Sequence, residues 1–255
     1  MQKTSTQFWG ELVGTFLLVF FGCSSVAISV IFDSYQGLFQ IAALWGIGLT
    51  IAIKITGPRS GAHLNPAVSL AFALLTNNFS LKKLPLYFAA QLLGAFLAAA
   101  TLHLLFAEPL RAFEQEAQIL RGSAGSEASA KMFGEFHPQS ISTATASLAE
   151  FLGTALLAFV IFCLVDPRNK DPLPAWAIPP AIGGTLTLLI SLFAPLSMAG
   201  FNPARDFAPR LYSSFVGWEG IPFTANGSSW LIAYIIAPCL GALAGGFLAQ
   251  RLPKG

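Results

Sequence analysis

The sequence predicts an all-α membrane protein: six transmembrane helices plus two re-entrant half-helices, arranged as an inverted repeat. Three observations carry that prediction. Of 255 residues, 55% are hydrophobic and only 10% are charged, where a soluble domain carries roughly 25% charged residues. With a mean hydropathy of +0.66, the chain holds more apolar surface than one core of this size could hide from water, so its solvent is lipid. Six apolar runs approach the roughly 20 residues that cross a hydrocarbon core of about 30 Å. Finally, motifs of the first half recur in the second.

The runs fall at 8–31, 38–55, 84–106, 146–165, 175–193 and 230–250. The first is too long for a cleaved leader, contains Glu11 and lacks a cleavage-like end, so it is expected to stay in the membrane. An even number of spans puts both termini on one side, and Lys/Arg bias chooses the side. With the termini in the cytoplasm, Lys3, Lys54, Arg59, Lys82, Lys83, Arg168, Lys170, Arg251 and Lys254 all face inward. The outside then holds Arg111, Arg121, Lys131, Arg205 and Arg210, together with the acidic segment 107–145, read as an external loop. A multi-pass protein of the cell (inner) membrane is expected. Trp9, Trp176, Trp218 and Trp230 are expected in the interfacial belts.

The stretch ELVGTFLLVF at 11–20 matches EFLGTALLAF at 150–159 in its Glu, Gly, Thr, Leu and Phe positions. Asn65-Pro66-Ala67 recurs as Asn202-Pro203-Ala204, and the stretch around Gly94 resembles that around Gly241. The three elements keep their order, which marks a duplication. Each half has three spans, so the second enters the bilayer upside down, a plan that places a solute path between the halves. The chain is thus one membrane domain over 1–255, with repeats at about 8–106 and 146–250 joined by the external loop.

Between the second and third runs, 65–75 is apolar but about half the length of a crossing at about 1.5 Å per residue. It can only dip in. Asn is a favoured N-cap and Pro a favoured first helical residue, so Asn65 and Asn202 each begin a half-helix. Irregular backbone at that depth is tolerated where it lines a watery cavity. Each Asn oxygen would cap its helix and leave the amide NH2 free to donate into the lumen. The positive ends of the two half-helices would repel cations there.

GAHLNPAV at 61–68 and GFNPARDFAPRL at 200–211 resemble the two signature loops of the aquaporin and glycerol-facilitator family. The resemblance covers essentially the whole chain and implies a right-handed bundle, one pore per subunit and a homotetramer. Asp206 directly after Arg205 is similar to the glycerol-conducting branch. The family's narrowest ring maps onto Trp45, Ile190, Ala199 and Arg205, with Ser191 replacing Ile190 under a one-residue slip and Phe201 replacing Ala199 if the loop threads differently. Ala199 stands where glycerol facilitators carry an aromatic, so the set is closer to the Trp, aliphatic, Ala, Arg ring of plant nodulin-like channels. That admits urea, ammonia or a neutral small organic acid beside glycerol. The family also implies a ladder of backbone carbonyls from Gly61, Ala62 and His63 and from Ser197, Met198, Ala199 and Gly200.

Other residues have competing readings. Arg205 is expected at the pore mouth, the alternative being an ion pair with Asp206. Trp45, a third of the way into its span, is assigned to the pore wall. Glu11 and Glu150 are intramembrane carboxylates; their duplication favours scaffolds for the re-entrant loops over proton or sodium sites. His63 is read as a loop-packing group, while His103 and His137 have no identifiable partners. Cys23, Cys163 and Cys239 lie in apolar runs and read as small hydrophobes. No cofactor, metal site or catalytic dyad is called for, and the net charge of +2 without a basic run excludes nucleic acid. The expected partners are small neutral solutes, the lipid bilayer and three further copies of the chain. The expected function is a passive channel for small uncharged polar solutes and some water, excluding protons and ions; an ion-coupled secondary transporter is the alternative of a different class.

Overall fold

A computed structural model describes residues 3–252; Lys254, counted above in the inward-facing charge, lies outside the described residues. Six helices are long and apolar enough to cross a membrane: Thr4–Phe32, Leu38–Ser60, Leu81–Leu105, Thr143–Leu164, Ile178–Ser197 and Ser229–Arg251. Two shorter helices, Pro66–Leu75 and Pro203–Ser213, follow the second and fifth spans. No strand occurs among the described residues.

Most span boundaries match the apolar runs to within a few residues, with two instructive exceptions. The second span continues through Pro58 to Ser60, and the fifth through Pro195 to Ser197. These last turns carry a proline and polar residues, Thr56, Arg59 and Ser60 in the second span and Ser197 in the fifth, so an apolar run does not register them. The sixth span opens with a π-helical stretch, Ile232–Ile236, ahead of Pro238. A proline lacks the N–H for the helical ladder and its ring crowds the preceding turn, and a wider turn accommodates both.

In the first half the first span packs along the second and third; in the second half the fourth packs along the fifth and sixth. The halves meet where the second span lies on the fifth. The approach there is set by two glycines: a Cβ built on Gly46 would fall 2.4 Å from the Gly183 carbonyl oxygen, and one on Gly183 would fall 2.3 Å from that of Gly46. Each half-helix packs on the last span of the opposite half, Pro66–Leu75 on the sixth span and Pro203–Ser213 on the third. The two half-helix starts are thereby locked between both halves.

The segment expected as an external acidic loop is folded over the bundle. It contains the helix Ala107–Glu116 and the turn Glu127–Ala130, and Met132, Phe133 and Phe136 are buried. Glu114 and Glu135 are buried too, because each pairs with an arginine, Arg121 and Arg205 respectively. Trp218 corrects the belt assignment: it is fully buried, its indole N–H donates to the Ser126 carbonyl at 3.1 Å, and Arg121 stacks on its ring. Trp9 and Trp176 are exposed. The three cysteines are unpaired.

Candidate functional site

The two re-entrant loops are built on the same plan. In the first, the Glu11 carboxylate accepts the backbone N–H of His63 at 3.0 Å and of Leu64 at 2.7 Å. In the second, Glu150 accepts those of Gly200 at 2.9 Å and Phe201 at 2.7 Å. The Ser60 hydroxyl accepts the Ala62 N–H, as that of Ser197 accepts the Ala199 N–H. Tyr87 donates its hydroxyl to the Ser60 carbonyl and Tyr234 to the Ser197 carbonyl. Both carboxylates are fully buried. Each thus satisfies loop N–H groups that have no helix or lipid to bond.

The carboxylates hold a strained backbone. Ala62 and Leu64 in the first loop, and Met198, Ala199 and Phe201 in the second, adopt left-handed φ angles between 51° and 67°. Side-chain-bearing residues visit that region at a cost, and such clusters persist only where the surroundings over-determine them. The Leu64 and Phe201 side chains are accommodated by glycines of the helices behind: a Cβ on Gly14 would fall 2.4 Å from Leu64, and one on Gly153 would fall 2.1 Å from Phe201. Phe201 is 1% exposed and packs edge-on against Phe193.

Asn65 and Asn202 occupy the N-caps of the half-helices. The Asn65 side-chain oxygen accepts the Ala67 N–H at 2.8 Å, and that of Asn202 accepts those of Ala204 at 3.0 Å and Arg205 at 3.3 Å. The amides are less free than the sequence suggests. Asn65 Nδ2 donates to the Phe201 carbonyl, and Asn202 Nδ2 to the Leu64 carbonyl, both at 2.8 Å. These crossed bonds tie the two loops together and leave one N–H of each amide for the lumen. The correction has a physical reason: a buried NH2 with no acceptor would be costly.

A cavity of about 430 Å³ runs past these groups. Asn65 and Asn202 line it, as do Gly61, Ala62, His63, Ala199 and Gly200, while Leu18, Leu49, Ile53, Leu157, Ile161, Ile182 and Leu186 form an apolar wall. This cavity does not reach Ser197 or Met198. The Ser197 carbonyl is taken by Tyr234, and Met198 offers its sulfur to the Phe136 N–H. Trp45, Ile190, Ala199 and Arg205 all line the cavity, whereas the Ser191 hydroxyl bonds back to the Thr187 carbonyl. The His63 ring bonds Ser69 and stacks on Phe72 at 4.7 Å between centroids.

Arg205 is 2% exposed. Its guanidinium carbon lies 4.4 Å from the Trp45 ring centroid, Nη1 donates to the Phe133 carbonyl at 2.9 Å, and Nη2 meets Glu135 Oε1 at 2.7 Å. The alternative pairing with Asp206 does not occur. Asp206 is turned to Arg210, one helical turn on, at 2.7 Å, and also accepts the Glu135 N–H. In an α-helix, residues four apart face each other and adjacent ones do not.

A family model for the major intrinsic proteins matches residues 1–249. The chain belongs to the major intrinsic protein family. It is 40% identical to a glycerol uptake facilitator protein of Pseudomonas aeruginosa over 96% of this chain and 89% of that protein. It is 36% identical to a glycerol uptake facilitator protein of Haemophilus influenzae over 96% of this chain and 93% of that one. Among solved structures it resembles the aquaglyceroporin of Plasmodium falciparum, with a TM-score of 0.84 at 27% identity over 98% of this chain and 97% of that one.

Several residues of the site escape sequence reasoning. Tyr87, Tyr234, Gln91, Phe133 and Glu135 stand outside the motifs that mark it. The tyrosines do carry a signal, since each stands the same distance ahead of the repeated glycines Gly94 and Gly241. Gln91, which donates to Glu11 at 2.7 Å, has Pro238 at the matching position and no counterpart. His103 and His137 also find partners, in Tyr212 and Arg121 for the first and in Ser229 for the second.

Proposed function

We propose that the chain is a passive channel for glycerol and other small uncharged polar solutes, with some water, that excludes protons and ions. The observation that carries the reading is the pair of capped half-helices, each presenting one amide N–H of Asn65 or Asn202 beside an apolar wall. A solute oxygen passing the centre meets two donors and the positive ends of two short helices, so a cation is repelled. Polyols fit such a path, with hydroxyls toward the donors and carbonyls and carbon toward the wall. The names of the facilitators at 40% and 36% identity support glycerol among the solutes.

The proposed selectivity ring is Trp45, Ile190, Ala199 and Arg205. The proposed acceptors are the carbonyls of Gly61, Ala62, His63, Ala199 and Gly200. Glu11 and Glu150 act as scaffolds, and Asp206 supports the outer mouth through Arg210. The proposed repeat units are 8–106 and 146–250, in a homotetramer of the cell (inner) membrane with both termini in the cytoplasm, as the Lys/Arg bias favours.

A second reading is favoured by one observation. The Ala199 side chain offers only a methyl to the cavity, and Phe201, which also lines it, has its ring edge in the slot at Gly153. A ring in which Trp45 is the one aromatic plate, with a methyl in place of a second, admits urea and neutral weak acids as well. Stopped-flow light scattering on proteoliposomes challenged in turn with water, glycerol, urea and lactic acid at low pH tests both readings. Fast glycerol flux supports the channel, comparable urea or lactic acid flux supports the broader ring, and no flux above empty liposomes contradicts both.

A further inference from the structure

We infer that Glu135, from the segment between the two halves, is a positioning residue of the constriction: its carboxylate holds Arg205 against the pore wall, and protonating it releases the guanidinium toward the lumen and slows uncharged solutes. The inference rests on the place given to Arg205 in the proposed ring.

The backbone around Glu135 is fixed on both sides. Its N–H donates to Asp206 Oδ1 at 2.7 Å, and its carbonyl accepts from Arg210 Nη2. The side chain then reaches Arg205 Nη2 at 2.7 Å, while the Phe133 carbonyl holds Nη1. Both terminal nitrogens of the guanidinium are thus held by the same short segment. No carboxylate across the ring would replace that hold, since the side chains of Ala199 and Ile190 bring no acceptor.

The cluster is overloaded with carboxylates. Arg205 and Arg210 of the second half-helix face Asp206 beside them, Glu135 of the connecting segment and Glu150 of the fourth span; Tyr234 of the sixth span and Cys23 of the first complete the titratable neighbours. Three carboxylates share two arginines. Both oxygens of Glu150 accept N–H or O–H bonds, and both oxygens of Asp206 accept from Arg210 or Glu135. Glu135 Oε2 is buried with no partner. It is the one oxygen of the cluster that can take a proton without breaking a bond. Burial pushes the Glu135 carboxyl up to about 8, against the pull of Arg205. A proton on Oε2 leaves Oε1 as a neutral acceptor, and the charge-assisted bond to Arg205 loses much of its strength. Arg205 then has no ionised carboxylate in direct contact with it at the constriction.

The experiment compares wild type and Glu135→Gln in proteoliposomes, measuring glycerol and water flux from about pH 5 to about pH 9, a range that brackets an elevated glutamate. Wild-type glycerol flux is expected to rise several-fold with pH as the carboxyl ionises. Glu135→Gln is expected to show no step and to stay at the wild-type acid level. A wild-type flux that is present but flat with pH overturns the inference without any variant, which keeps it testable should Glu135→Gln fail to insert. A step that persists in Glu135→Gln overturns it as well. Absence of glycerol flux at every pH overturns instead the channel reading on which it rests.

Discussion

Replacing Glu150 with Gln removes one acceptor from the second re-entrant loop at almost constant volume. Glu150 receives the Gly200 N–H at 2.9 Å, the Phe201 N–H at 2.7 Å and the Ser197 hydroxyl at 2.7 Å, and no water reaches it. A glutamine keeps one oxygen; its NH2 must face one of the loop donors. One hydrogen bond to a charged acceptor is lost, worth about 1.5 to 3 kcal/mol, and one buried donor is left unmet at about 1 to 3 kcal/mol. Against this, the variant no longer buries a charge. The net loss expected is about 2 to 3 kcal/mol, or about 4 to 12 °C in Tm at about 2 to 4 °C per kcal/mol for a chain of this size. Thermal unfolding of the purified protein in detergent measures it, and stopped-flow glycerol flux on the same preparation should fall, because the Ala199 and Gly200 carbonyls are held by the loop that loosens. Glu11→Gln is expected to cost at least as much, since Gln91 also donates to that carboxylate. Unchanged Tm and unchanged flux in Glu150→Gln would refute the scaffold role.

Asn202→Ala removes the cap on Ala204 and Arg205, worth about 1 kcal/mol, together with the crossed bond to the Leu64 carbonyl and one lumen donor; glycerol flux should fall or cation leak rise, read by light scattering and by a potential-sensitive dye. Ala199→Phe should exclude solutes bulkier than glycerol first while water still passes. Phe201→Ala should destabilise by about 3 to 5 kcal/mol, as emptied aromatic sites do, with the order of solute selectivity kept; a size-selective change in Phe201→Ala alone would move the ring to Phe201. A cysteine introduced at Lys82 should resist an impermeant external thiol reagent, and its modification from outside would reverse the proposed topology.

Much of this architecture is legible in the sequence because local chemistry dictates it. Asn-Pro after a loop, twice, specifies two capped half-helices, and Glu11 with Glu150 marks the loops those caps require. The acceptors for the Asn amides were not legible. They are the carbonyls of Leu64 and Phe201, each in the opposite half, and a backbone carbonyl carries no sequence signature. Nor could Glu135 be told from Glu108, Glu114, Glu116 or Glu127 in the same acidic segment, since its distinction comes from a contact with Arg205 some seventy positions away. Trp218 illustrates the reverse error. An aromatic near a span end reads as an interfacial anchor, yet here the folded segment 107–145 covers it and Ser126 supplies its acceptor.

The central claim is that solute crosses passively, and the most direct test is whether any gradient other than the solute's own can drive it. Proteoliposomes loaded with a pH-sensitive dye are given equal glycerol on both sides and then a sodium or proton gradient. The account predicts no net glycerol movement, no proton movement coupled to glycerol and, when a glycerol gradient is applied alone, rapid equilibration. Accumulation of glycerol against its gradient, or protons moving with it in fixed proportion, would contradict it.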